Sequence, residues 1–196
     1  DIGDGAATAD LTIMPAITNG GFIKTGAGAL ALNGENTFAG GAIISNGVLI
    51  LNGSLAGSAV VCSNATLTGS GTIATNGATA LTVNNGGVFD PGTAGGIGTF
   101  TVTGNVYFAD GARLNLDAGD SGSDLIEVSG NVTQESNPLI VTLSISGTGT
   151  SWKVMTATNI AASFQPGIQG WLFRKRNNAT ELWLERCVNG TVFSIR

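Results

Sequence analysis

The side chains able to do chemistry are few and unevenly placed. Asp117, Asp120 and Asp124 fall within Asp-Ala-Gly-Asp-Ser-Gly-Ser-Asp, a spacing that outwardly resembles a calcium loop. The segment lacks the twelfth-position glutamate of an EF-hand and the Gly-Gly-x-Gly-x-Asp nonapeptide. It reads instead as a polar turn whose carboxylates cap backbone N–H groups. Glycan cleavage needs two carboxylates held about 5–9.5 Å apart. Asp90, Asp110, Glu127 and Glu135 mostly fall at turns rather than in register within strands. The chain has no histidine, and Arg113 is its one arginine before residue 151. The sequence therefore assigns no catalytic residue, no cofactor and no metal ligand.

Three further groups could meet a partner. Arg174-Lys175-Arg176 is the one basic run, read either as a solvated strand edge that discourages aggregation or as an electrostatic contact with a second copy. Trp152, Trp171 and Trp183 suit either core packing or stacking on sugar rings. Cys62 and Cys187, far apart in the chain and without CxxC or metal spacing, are open to two readings: free buried thiols, or a disulfide tying the tail to the rest.

These residues must be positioned by an unusual background. Of 196 residues 31 are glycine, four are proline and 11% are charged, while 42% are hydrophobic. The hydrophobic fraction excludes a disordered polyampholyte, and glycine without a strict every-third repeat excludes collagen. Residues 1–150 hold eleven acids and two bases, whereas residues 151–196 hold two acids and six bases. Twenty-eight of the glycines precede residue 151 and all three tryptophans follow it. A net charge of −5 argues against nucleic acid as a partner. No apolar run approaches the ~18 residues of a membrane span.

Short alternating segments recur between glycine or Asn-Gly corners: Ala29–Leu32, Ala42–Ile44, Val48–Leu51, Ala65–Thr68, Ala80–Val83, Phe100–Thr103, Arg113–Leu116 and Leu125–Val128. Period-2 alternation predicts strands, and no window carries the apolar stripe of a long helix. Similar strands spaced this evenly predict a solenoid, in which each coil buries its inward face by stacking on the next. At roughly 20 residues per coil, residues 15–137 would make about six coils, a stack on the order of 30 Å long. After Pro138 the segments 139–145, 152–155, 171–176, 181–186 and 192–196 are longer and more aromatic. Asn177-Asn178 predicts a hairpin turn there. The expected organisation is a β-helix over 1–137 and a C-terminal antiparallel cap over 138–196.

The run Gly20-Gly21-Phe22-Ile23-Lys24-Thr25-Gly26-Ala27-Gly28-Ala29-Leu30-Ala31-Leu32-Asn33-Gly34-Glu35-Asn36-Thr37-Phe38-Ala39-Gly40-Gly41 resembles the passenger-associated repeat of bacterial autotransporters. Ile23 stands where leucine is usual and Phe38 where tyrosine is usual. Ala65–Ile73, Asp90-Pro91-Gly92, Gly98–Val102 and Ser123–Val128 also resemble β-helical passengers of that family. The resemblance implies an all-β, right-handed parallel β-helix that is extracellular, on a bacterial cell surface, and that serves as an adhesin, an aggregation factor or a stalk. The family's C-terminal membrane barrel has no counterpart in these residues, so no barrel-dependent mechanism is carried over.

The sequence thus leads to a non-enzymatic structural or adhesive module for surface display, attachment or filament formation. Its expected partners are a second copy of itself or a surface glycan or protein. A carbohydrate-binding module and, further off, a glycan-degrading β-helix are the alternatives.

Overall fold

Short alternating strands must find partners for both their backbone and their apolar faces, and here they find them one coil above and one below. The computed structural model describes residues 1–38, 40–93 and 96–187. Among these there is no helix, and the strands wind into a parallel β-helix. The first face is a continuous parallel sheet of Leu11–Ile13, Ala29–Leu32, Gly47–Leu51, Ala65–Gly69, Val88–Pro91, Arg113–Gly119, Leu139–Ile145 and Phe164–Pro166. The other two faces merge into a second sheet through a long strand, Thr72–Val83. Its first half pairs with Ser54–Leu55 and its second half with Ala59–Val61.

Register is fixed by the alternation, because a slip of one residue would turn every apolar side chain outward. Leu11, Leu30, Leu49, Leu67, Phe89, Leu114, Val141 and Pro166 stand in one column. From Leu30 to Val141 that column is buried and forms one wall of a core running the length of the stack. The column also measures the coils. Steps from Leu11 to Leu30, Leu49 and Leu67 are nearly equal, those onward to Phe89, Leu114, Val141 and Pro166 are longer, and the longest joins Leu114 to Val141. Eight rungs about 4.8 Å apart span roughly 34 Å. Widening is accompanied by larger filling: Phe89 and Phe100 meet edge to face at 5.1 Å where the coils begin to lengthen.

One corner shows why glycine and asparagine are so frequent. Gly26, Gly47, Asn64, Gly86 and Gly111 have φ of 77°, 71°, 62°, 74° and 81°. Down this corner the Gly47 N–H donates to the Asn64 carbonyl, that of Asn64 to Gly86 and that of Gly86 to Gly111. A Cβ at Gly47 would lie 2.5 Å from the Gly26 carbonyl oxygen, so positive φ and close approach demand glycine together.

The stack is longer than the expected 15–137. Leu139–Ile145 keeps the inward-outward alternation, so it stacks in parallel on Arg113–Gly119, and Phe164–Pro166 stacks on it in turn. The change of composition at Pro138 is not the end of the helix, and the coils have already lengthened before it. Antiparallel pairing, confined before this to short corner pairings such as Gly122–Ser123 against the end of Arg113–Gly119, takes over where Glu181–Arg186 lies against Ser151–Thr156, with Trp171–Arg176 completing a hairpin. The hairpin turns through Asn177, Asn178 and Ala179, all at positive φ. Leu182 and Leu184 close the core at this end. The strand expected at 192–196 lies outside the described residues.

Candidate functional site

Two buried polar residues of the early coils bind their neighbouring rungs. The Lys24 side chain is only 2% exposed, and its ammonium donates to the carbonyls of Thr25 (2.9 Å), Gly26 (2.8 Å) and Asn46 (3.2 Å), the last on the next coil. Burial lowers its pKa from the ordinary lysine value, and the Asp10 carboxylate partly offsets this. Asn36 is 1% exposed. Its Oδ1 accepts from the Ile17 N–H on the coil before, and its Nδ2 donates to Gly34 and, on the coil after, to Ser54, all at 3.0 Å. Phe38 is fully buried edge-on to Phe22 at 5.2 Å. At this dry position a tyrosine hydroxyl would need its own partner. Charge and periodicity did not single out Lys24 and Asn36. The usable signal was a lone lysine before Gly-x-Gly and an asparagine set among small residues.

Several of the aspartates share a structural role. Asp10 takes the N–H of Gly5 and of Ala29, Asp120 that of Thr148, and Asp110 those of Ser136 and Asn137. Apart from the local contact to Gly5, each of these carboxylates captures an amide one coil away. The N–H donors hold the Asp110 carboxyl below the usual aspartate value. Within 117–124, Asp120 and Asp124 accept backbone amides as the polar-turn reading expects, whereas Asp117 lies in the strand Arg113–Gly119 and contributes its N–H. Among the described residues no group of three or more His, Cys, Asp or Glu is arranged to hold a metal ion.

Asp124 is the exception in degree. It is fully buried, and its two oxygens accept from Gly98 N–H at 2.9 Å and Asp117 N–H at 2.8 Å. Hydrogen bonds of this kind favour the carboxylate, but burial and the charges of Asp117 and Asp90 prevail, and its pKa is pushed up to about 7. Asp90 is also raised, by burial and by Asp117, against a hydrogen bond from Asn115. A polar cavity of about 400 Å³, lined by Ile97, Asp117, Ser121, Ser144 and Ser146 among others, borders this cluster.

The partner candidates of the tail gather on the terminal hairpin and the strand beneath it. Arg174 Nε donates to Glu185 at 3.0 Å and Arg176 also pairs with Glu185, while Lys175 reaches the Ala161 carbonyl at 3.3 Å. The Arg176 guanidinium lies 4.5 Å over the Trp183 ring, whose N–H donates to Glu181. Trp152 is buried, donates to the Gly119 carbonyl at 3.0 Å and is stacked on by Trp171 at 5.3 Å. Trp152 is thus core, Trp171 its half-buried lid, and Trp183 is covered on one face by a cation. Cys62 and Cys187 are both free thiols in this structure, on a mid-stack corner and at the end of the hairpin.

Comparison with known proteins matches residues 22–51 to the Passenger-associated-transport-repeat family. No curated protein matches the chain. The matched stretch runs from the first residue of strand Phe22–Lys24 to the last of Gly47–Leu51 and contains both Lys24 and Asn36. Two of the polar residues that tie one coil to the next, Lys24 and Asn36, therefore lie within the repeat, and the chain is a parallel β-helix carrying a passenger-associated-transport-repeat.

Proposed function

We propose that this chain is a non-enzymatic, secreted or cell-surface β-helical module that holds its outer surface and terminal hairpin at a fixed distance for attachment. The observation that carries this reading is the uninterrupted core, which passes through every rung from Leu30 to Val141 and is closed by Leu182 and Leu184. Such a core makes the stack a stiff body rather than a string of hinged units. The passenger repeat supports an exported location, and the carboxylates engaged as amide caps support a structural use of the acids.

The test is to display the chain on the surface of a non-adherent bacterium and count both autoaggregation and attachment to epithelial cells and immobilised glycans. Attachment or aggregation above a control displaying an unrelated rigid domain is the expected result. Background levels in every assay would refute the adhesive reading. Depolymerisation of pectin- or mucin-like glycans by the purified chain would replace it with the enzymatic one.

A further inference from the structure

The corner that follows strand Thr99–Phe108 and the one that follows Asn131–Gln134 lie on successive coils, each leading from the second sheet into the first. They are laced together. The Glu135 N–H donates to the Phe108 carbonyl at 2.9 Å, the Asp110 N–H to the Glu135 carboxylate at 3.0 Å, and Asp110 in turn holds the amides of Ser136 and Asn137. Ser163 fixes both ends of the later corner, donating its N–H to Gln134 Oε1 at 2.6 Å and accepting from the Leu139 N–H at 2.9 Å. Beside this lacing lies a cavity of about 410 Å³, lined by the buried Phe108, Ala112 and Leu139 and edged by Pro138 and the exposed Ile140.

Arg113 is the charged residue of that lining. Its neighbours in register, Val88 and Ile140, are aliphatic, and none of the three ion pairs among the described residues includes it. The acids of the two corners, Asp110 and Glu135, are turned to the main-chain amides just named. Three uncharged side chains of the lining keep hydrogen-bonding capacity in reserve. Gln134 accepts through Oε1, which leaves its Nε2 to donate, and Asn137 donates through Nδ2 to Asp110, which leaves its Oδ1 to accept. Thr142 is exposed and offers a hydroxyl for either role. A mostly apolar hollow of this volume, with a few polar groups converging on it, has the make-up of a small-molecule site.

We propose that this corner binds one carboxylate-bearing sugar residue of a surface glycan. The sugar's place on a surface rests on the attachment reading above, whereas its chemistry comes from the corner alone. The planar guanidinium of Arg113 matches a carboxylate through two parallel hydrogen bonds. Gln134, Asn137 and Thr142 meet ring hydroxyls as donor, acceptor and either. Pro138 and Ile140 take the C–H face of the ring out of water. A simple aliphatic acid would leave the three uncharged polar groups without partners, and a neutral sugar would leave the arginine without one.

The experiment is an NMR titration of the whole chain with methyl glucuronide and with the methyl glycoside of N-acetylneuraminic acid, against methyl glucoside, acetate and hexanoate. Shifts should gather on the Arg113 Nε–H, the Gln134 side-chain amide and the Ile140 methyls. At least one acidic sugar should bind about tenfold or more tighter than methyl glucoside, which lacks the charge-assisted pair, and than acetate or hexanoate, which lack the ring. Arg113→Gln should weaken that sugar by at least about tenfold and leave the Tm unchanged, since the side chain is exposed. Should the variant melt lower, the ranking of the probes on the wild-type chain decides alone. The proposal is overturned by an absence of shifts with both acidic sugars at millimolar concentration, by shifts gathered elsewhere, by acetate or hexanoate binding as tightly, or by an equally stable Arg113→Gln chain that binds like the wild type. Corner-localised binding together with background attachment of displaying cells would keep this site and remove the attachment reading. Attachment without shifts at the corner would do the reverse.

Discussion

Asn36→Ala removes an acceptor for Ile17 N–H and two donations, to Gly34 and Ser54, at a side chain that is 1% exposed. Each neutral hydrogen bond is worth about 0.5–1.5 kcal/mol net, and a buried group left without a partner costs about 1–3 kcal/mol. Water entering the space left behind would satisfy some of these groups, so about 3 kcal/mol is the expected loss. For a chain of this size that corresponds to a fall in Tm of roughly 6–12 °C. Asn33 supplies the control: three residues earlier, it accepts from Asn52 at 3.0 Å in an exposed ladder. Its replacement by alanine should cost less than about 1 kcal/mol. Thermal melts by circular dichroism, paired with hydrogen exchange of the Ile17, Gly34 and Ser54 neighbourhood, read both quantities. Because coils stack in one dimension, exchange should rise in the early coils more than near Leu114. If Asn36→Ala melts no lower than Asn33→Ala, the reasoning that this asparagine ties three coils together is wrong.

Gly47→Ala should destabilise by at least about 2 kcal/mol, since the new methyl meets backbone carbonyls at 2.5–2.7 Å and φ is +71°, whereas Gly20→Ala, with open space around it, should cost less; denaturant midpoints compare the two. Trp171→Ala should uncover Trp152, giving a red-shifted emission and stronger acrylamide quenching; unchanged quenching would show that the stacked pair does not shield the inner ring. Stability should peak in mildly acidic solution. The Asp110 carboxyl has a lowered folded pKa, so its contribution is present above the unfolded value and is lost as pH falls through the folded one. Asp124 has a raised folded pKa, so its contribution is full below the unfolded value near 4 and is lost as pH rises through about 7. Tm measured from pH 3 to pH 9 should therefore rise and then fall, and a flat profile between pH 5 and 8 would count against the Asp124 assignment.

The fold was legible because two periods were written in the residues: alternation within strands, and glycine or asparagine at corners. The column Gly26, Gly47, Asn64, Gly86, Gly111 is that second period seen in three dimensions. The extent of the stack was hidden, because Leu139–Ile145 has a different composition from the early strands while obeying the same alternation. Pairing follows that alternation and not the composition. The hairpin around Asn177-Asn178 was readable from its turn residues. The roles of Lys24 and Asn36 were not, since what defines them is which carbonyls and amides lie on the coils before and after. The cluster around Asp124 was equally hidden. Asp90 and Asp124 are distant in the chain and meet only because the coil from Phe89 to Leu114 sets Val88–Pro91 beside Arg113–Gly119.

The lengthening of the coils bears on how such a chain could grow. The early coils, stepping from Leu11 to Leu30, Leu49 and Leu67, are near equivalents, so duplicating one would insert a slab that fits the slabs above and below. A coil as long as the one from Leu114 to Val141, placed among them, would overhang its neighbours and leave apolar side chains facing water. Growth by copying is thus open at the narrow end and closed at the broad one, where any added length must match a cross-section already set by Phe89 and Phe100.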